Sequence, residues 1–237
     1  MSWATGKKAL VTGGSQGIGH ATAAALHALG ADVTVTGTRA SFADYEAPLE
    51  GVGYVQADLS KPEARAALAV RFPVLDVLVN NAGGGSANEF DQDQFEAVID
   101  LNLNAVMDLS VRLFPALKAG QGAIVNVGSL ASFLAIREAP AYTASKAGLL
   151  GLTRALADKW ATEAVRVNLV APGFIATRMT ASARTNPDFE KRLLKAIPMR
   201  RWGDPAEVAQ AIVFLASPAA GYITGQSLAI DGGLLLR

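Results

Sequence analysis

Residues 9–19 read ALVTGGSQGIG, and an alanine-rich run with helical spacing, His20 to Leu29, follows at once. A β-branched apolar strand, Ala9 to Val11, therefore passes through a glycine-rich turn straight into a helix. Glycine is needed where the backbone takes a positive φ or approaches a ligand closely, and the amides of a helix N-terminus add partial positive charge. The spacing Gly13, Gly17, Gly19 is Gly-x3-Gly-x-Gly, not the Gly-x-Gly-x-x-Gly of the common dinucleotide fingerprint. Its position after the first strand is where a doubly wound sheet binds a pyrophosphate, which makes Gly13, Ser15, Gln16, Gly17, Ile18 and Gly19 candidate dinucleotide ligands.

Outward from this turn, six further β-branched runs alternate with helical patterns: Val33 to Val35, Val52 to Val55, Val74 to Val79, Ala123 to Val127, Val165 to Val170 and Ser227 to Ile230. Their near-continuous hydrophobicity, without strict alternation, predicts parallel strands covered on both faces. The expectation is a Rossmann-like, doubly wound α/β fold of about seven parallel strands. Asp204-Pro205-Ala206-Glu207 is a helix start, with an N-cap, proline at the first helical position and glutamate at the third, and the helix runs to about Ala216. No repeat or low-complexity linker divides the 237 residues, so residues 1–237 are expected to form one domain.

Composition narrows the function. With 51% hydrophobic and 18% charged residues the chain is globular, and a net charge of zero gives no reason to expect nucleic acid or a membrane surface as a partner. There is no cysteine and only two histidines, so disulfides, thiol nucleophiles and zinc clusters are not expected. The N-terminal stretch lacks the apolar core of a signal peptide and no apolar run reaches spanning length, which points to a cytoplasmic protein.

Polar and glycine residues cluster at the carboxyl ends of the predicted strands, the edge that forms a ligand crevice. The second strand ends in Gly37-Thr38-Arg39, without the acidic residue that grips an adenosine ribose. A 2′-phosphate is tolerated there and can pair with Arg39, which favours NADP(H) over NAD(H). Asp58, followed by Leu59, closes the third strand, where a carboxylate can accept from an adenine amino group. Asn80-Asn81-Ala82-Gly83 closes the fourth, and Asn80, Ala82 and Gly83 are taken as cofactor contacts.

Ser129 lies just past the strand Ala123 to Val127. Tyr142 and Lys146 stand at i and i+4 on a helix whose start is marked by Pro140, and so share one face. A tyrosine hydroxyl has an ordinary pKa of about 10, and a neighbouring ammonium is expected to lower it. Ser129 and Tyr142 would then stabilise a developing alkoxide while Tyr142 exchanges the proton.

With the glycine turn, Asn80-Asn81-Ala82-Gly83 and Ser129 thirteen residues before Tyr142, the chain resembles a short-chain dehydrogenase/reductase from Lys7 to Gly233. It is similar to the subgroup containing bacterial β-ketoacyl-acyl carrier protein reductases and many alcohol dehydrogenases. The resemblance implies an NAD(P)(H)-dependent oxidoreductase acting on a secondary alcohol or its ketone, with Ser129, Tyr142 and Lys146 catalytic. It adds Asn102 as a fourth member, which helps hold a water in a proton relay to the lysine; by sequence alone Asn102 is a mid-helix polar residue. Lys146 and Tyr142 also contact the cofactor. Pro172, Gly173, Ile175 and Thr177 form the nicotinamide-side loop, and Phe174 is a substrate candidate beside Ser129 and Tyr142. Gln16 stands where many NADP-using relatives carry a basic residue, which counts against NADP(H). The segment 178–201, rich in arginine and lysine, is the expected substrate lid, and a homotetramer is the implied assembly. An acyl carrier protein is a possible partner under the alternative of β-ketoacyl reduction. From a different class, the alternative is a dinucleotide-binding sensor or scaffold without turnover. The stretch TRASFADYEAPLEG between the second and third strands is short for the family, so its helix is expected to shrink to a turn or two.

Overall fold

In the computed structural model, which describes residues 2–236, seven strands build one sheet: β1 (Lys8–Val11), β2 (Asp32–Gly37), β3 (Gly53–Gln56), β4 (Val77–Asn80), β5 (Ala123–Val127), β6 (Arg166–Pro172) and β7 (Ser227–Ile230). Every pairing is parallel and the order is β3-β2-β1-β4-β5-β6-β7. The winding reverses between β1 and β4, which opens the crevice beyond their carboxyl ends.

Among the described residues there are eight α-helices: α1 (Gly17–Ala28), α2 (Pro62–Ala69), α3 (Gln92–Ile99), α4 (Ala105–Gly120), α5 (Pro140–Trp160), α6 (Ala181–Arg184), α7 (Pro187–Ala196) and α8 (Pro205–Ala216). Alternate strand residues feed two cores. Ala9, Val11, Val33, Val35, Val79 and Val125 pack with Ala23, Leu26, Val208 and Ile212 of α1 and α8. Leu10, Leu78, Ile124 and Val167 pack on the opposite face with Leu68, Leu109, Leu113, Leu117 and Leu156 of α2, α4 and α5. Truncating one of these wholly buried leucines removes about 2–5 kcal/mol.

The two edge strands depart from the expectation of full burial, since β3 and β7 each have one side open to solvent and include exposed residues. β4 starts at Val77, not Val74: the Leu75 amide donates to the Ala116 carbonyl of α4, and Asp76 leads into the strand, its amide donating to the Lys8 carbonyl at 2.9 Å and its carboxylate accepting from the Lys8 amide and the Lys7 ammonium, both at 2.8 Å. Between β2 and β3 only a 3-10 turn, Phe42–Asp44, remains of a helix. α8 begins as expected, Asp204 accepting from the Ala206 amide and Glu207 closing the capping box. At its other end the guanidinium of Arg166 donates to the carbonyls of Leu215, Ala216 and Ser217 at 2.7–3.1 Å, satisfying acceptors that a helix C-terminus leaves open. Among the described residues no helix is long and apolar enough to cross a membrane.

Candidate active site

A cavity of about 420 Å³ follows the crevice from the end of β2 to the start of α5. At its centre is the glycine turn, with Gly13 at φ 61° and Gly17 at φ 57°, conformations that a side chain would strain. No side chain caps α1 and no acidic residue stands in its first turn, while Gly17 and Ile18 line the cavity. Those unpartnered amides and the helix dipole suit a pyrophosphate, so the residues present fit a dinucleotide. Ser15 and Gln16 line the same wall.

Gly19 is not at the ligand surface. It sits behind the turn, where a Cβ would fall 2.4 Å from Asn81 Nδ2. Asn81 Nδ2 in turn donates to the carbonyls of Thr12 and Gly13 at 2.9 and 3.0 Å, and holds the turn to β4. The side chain of Asn80 faces away from the cavity, because strand alternation points it at α4, where Nδ2 donates to Ser110 at 3.2 Å and also to Asn126 Oδ1 of β5 at 2.9 Å. Asn81, Ala82 and Gly83 take the cavity wall instead.

Thr38, Arg39, Asp58 and Leu59 line the end beyond β2 and β3 together with Gly37, and Tyr45, which sequence reasoning missed, joins them. Asp58 accepts from the Ser60 hydroxyl at 2.7 Å and from its amide at 3.0 Å, and these bonds hold its carboxyl below the usual range. Pro172 at the end of β6, and Gly173, Ile175 and Thr177 after it, also line the cavity, with Arg178 and Met179 beyond them. Phe174 turns out of this cavity to meet the Trp202 ring edge-on, with centroids 6.0 Å apart, and lines a smaller neighbouring hollow.

Ser129, Tyr142 and Lys146 meet at the α5 end. Ser129 leaves β5 in extended backbone, and its Oγ accepts from the Ala131 amide at 3.2 Å. Ser132 Oγ donates to the Lys146 carbonyl at 2.8 Å, fastening this loop to α5. The Ser129 hydroxyl opens on the same end of the cavity as the Tyr142 hydroxyl and favours its ionised form. Lys146 is 5% exposed; its Nζ donates to the Val127 carbonyl at 2.9 Å and stands 5.6 Å from the centroid of the Tyr142 ring.

The acidities correct the expectation that Lys146 lowers the Tyr142 pKa. Burial pushes the Tyr142 hydroxyl up, the bond with Ser129 opposes this, and the charge of Glu89 raises it further. Burial likewise pushes the Lys146 ammonium down, to about 8. The Lys146 Nζ is turned to the Val127 carbonyl and stands 5.6 Å from the ring centre, and it does not offset the burial of the phenol.

Asn102 stands in a π-helical turn, Asp100–Asn104, inserted between α3 and α4. Its side chain accepts from the Gly84 amide and donates to the Gly84 carbonyl, both at 2.9 Å, and to Ser145 Oγ at 3.0 Å, so it clamps the loop after β4 onto α5. Glu89, 2% exposed, performs a related task unanticipated from sequence. It accepts from the Ser86 amide at 3.2 Å and from the Tyr142 amide at 2.8 Å, capping α5 where Ala139 supplies no side-chain cap.

Comparison with known proteins agrees with this geometry. The family model described as enoyl-(acyl carrier protein) reductase matches residues 13–235. The 2-dehydro-3-deoxy-D-gluconate 5-dehydrogenase of Bacillus subtilis (strain 168) is 40% identical over 243 residues, spanning 98% of this chain and 96% of that protein. The 3-oxoacyl-(acyl-carrier-protein) reductase of Rickettsia felis is 37% identical over 244 residues, spanning 98% of each. Among solved structures, the RhlG/NADP active-site complex of Pseudomonas aeruginosa aligns with a TM-score of 0.89 at 33% identity, covering 99% of both chains. Likeness at this identity over nearly the whole length carries the fold and the reaction class together, and the chain belongs to the short-chain dehydrogenase/reductase family, NAD(P)-dependent oxidoreductases that interconvert secondary alcohols and ketones.

Proposed function

We propose that Tyr142 is the general acid and base of this oxidoreductase, with Ser129 and Lys146 as its partners. The observation that carries this reading is that Ser129, Tyr142 and the buried Lys146 line one end of the dinucleotide cavity, with the lysine Nζ 5.6 Å from the tyrosine ring centre. When bound, the nicotinamide dinucleotide supplies or accepts the hydride. In ketone reduction Ser129 donates a hydrogen bond to the substrate oxygen and Tyr142 delivers the proton; in alcohol oxidation Tyr142 takes it back. The raised Tyr142 pKa keeps the phenol protonated at neutral pH, the form reduction needs. Asn102 and Lys146 continue the proton path away from the substrate.

The cofactor in this reading is NADP(H). It is supported by Gly37 in place of an acid at the end of β2, by Arg39 on the cavity wall, and by NADP in the aligned RhlG complex. The segment 178–201 acts as the substrate lid, with Arg178 and Met179 already on the cavity wall. The Arg178 guanidinium and the 40% identity to a 2-dehydro-3-deoxy-D-gluconate 5-dehydrogenase favour a small hydroxy or keto acid as substrate. A second reading, reduction of a β-ketoacyl group on an acyl carrier protein, is favoured by exposed Lys191, Arg192 and Lys195 along α7, a basic face for an acidic carrier. Turnover that weakens steeply with added salt would mark the carrier, and salt-insensitive turnover of a free keto acid would mark the small substrate. The assembly proposed is a homotetramer.

The test of the central role is Tyr142→Phe. Dinucleotide binding, followed by nicotinamide fluorescence, is expected to persist while turnover falls by about 10²–10⁴-fold. Turnover at the wild-type rate would remove Tyr142 from the chemistry.

A further inference from the structure

Gly37 ends β2 at the corner of the cavity, and a Cβ there would fall 2.4 Å from the hydroxyl oxygen of Tyr45. A side chain at position 37 and the Tyr45 phenol are mutually exclusive, so the oxygen of Tyr45 stands where the first atoms of the missing side chain would be. Tyr45 reaches this corner from the short loop after β2, and its ring is held by its neighbours. Tyr54 and Phe42 lie with centroids 6.1 and 6.3 Å away, and the Arg39 guanidinium sits 4.8 Å from the ring centre.

The phenol oxygen accepts from the backbone amides of Thr38 at 3.0 Å and Arg39 at 3.1 Å. Two amides occupy its acceptor positions, and what the group still offers is its O–H, a donor. The Tyr54 hydroxyl is itself turned to the Arg39 carbonyl. Ser15, Thr38 and the Arg39 side chain add further donors along the same wall. The carboxylates of the adjoining turns are engaged, Asp44 with the Ser41 amide at 2.9 Å and Asp58 with Ser60. Such a corner suits a group that only accepts, a phosphate, better than a ribose hydroxyl in search of a carboxylate. These surroundings register in its acidity: burial alone would raise the phenol, yet the Arg39 amide, with the polar groups around it, brings it down to about 8.

We propose that Tyr45 is a specificity-determining residue for the dinucleotide, its phenol O–H donating to the 2′-phosphate of NADP(H) from the place a side chain on Gly37 would hold. This rests on the NADP(H) reading above. Isothermal titration calorimetry of wild type and Tyr45→Phe with NADP⁺ and with NAD⁺ tests both. Wild type is expected to prefer NADP⁺; Tyr45→Phe is expected to weaken NADP⁺ by about tenfold, the scale of a lost hydrogen bond to a charged group, and to leave NAD⁺ unchanged. Gly37→Ala keeps Tyr45 but must push its oxygen aside, and the same selective loss is expected there, which covers any disturbance of the loop by the first variant. Wild type that prefers NADP⁺ alongside variants that bind it equally or more tightly, or that lose both dinucleotides alike, would overturn the role of Tyr45 and leave the NADP(H) reading standing. Wild type with equal affinity for the two dinucleotides would overturn the NADP(H) reading, and this proposal with it.

Discussion

Burial disfavours the charged form of an amine, and Lys146 shows the effect at 5% exposure, its ammonium pushed down to about 8. An unfolded lysine titrates near 10.4, so between about pH 8 and 10.4 the unfolded chain holds a proton the folded chain has released. Stability from this group therefore rises with pH across that window, and below pH 8 the fold carries the full cost of the buried ammonium, on the order of 3 kcal/mol. Lys146→Met removes that cost and forfeits the bond to the Val127 carbonyl, worth about 1 kcal/mol. The variant is expected to melt a few degrees above wild type at pH 7, with the gap closing as pH approaches 10, while turnover is lost. Thermal unfolding at the two pH values checks this, and a variant less stable than wild type at pH 7 would show that the lysine is not a desolvated burden on the fold.

The helix α5 presents Tyr142 and Lys146, and its first turn is secured by a carboxylate 53 positions away in the chain. Glu89 accepts from the amide of Tyr142 itself and raises the pKa of its hydroxyl. Glu89→Gln keeps an acceptor for that amide and deletes the charge, so the Tyr142 pKa should fall. Alcohol oxidation, which needs the deprotonated phenol, then gains its rate at lower pH than in wild type; a pH profile of kcat/KM that does not move would rule out the electrostatic part of the role. Glu89→Ala leaves the amide without a partner and should cost about 1–3 kcal/mol of stability. This contact also marks what a sequence does not disclose. The start of α5 at Pro140, the limits of β5 and the i, i+4 pair follow from local residues, and all are found in the structure. Glu89 reads as one more acid in a polar loop, because only the packing of that loop on α5 gives it a partner. Asn80 and Asn81 are indistinguishable by type, and the strand parity that sends one to α4 and the other to the glycine turn depends on where β4 ends. Tyr45 is hidden for the same reason as Glu89, since a chain reversal after β2 brings it back onto Gly37.

The whole molecule sets its chemistry on one edge of the sheet and leaves another surface unexplained. On α5, opposite the face that buries Ser145 and Lys146, Ala144, Ala147, Gly151 and Ala155 form an exposed stripe at helical spacing. On α4, Met107 and Val111 are 41% and 47% exposed at i and i+4. Gly151 has nothing within 4 Å of where a Cβ would lie, so no contact within the chain calls for glycine there, although glycine in a helix costs about 1 kcal/mol relative to alanine. Close approach of a helix from a second copy is a reason to keep it, since small residues let helix axes come together and ridges seat in grooves. Gly151→Arg should therefore act in opposite directions on the two levels of structure. Within one chain it replaces a poor helix former by a good one in open space, and far-ultraviolet circular dichroism should show an intact fold. Between the chains of the proposed tetramer it would insert a long cation into a close helix contact, and light scattering should fall from four chain masses to two or one. A wild type of a single chain mass would dismiss the tetramer, and a variant that assembles as wild type does would move the interface off α5.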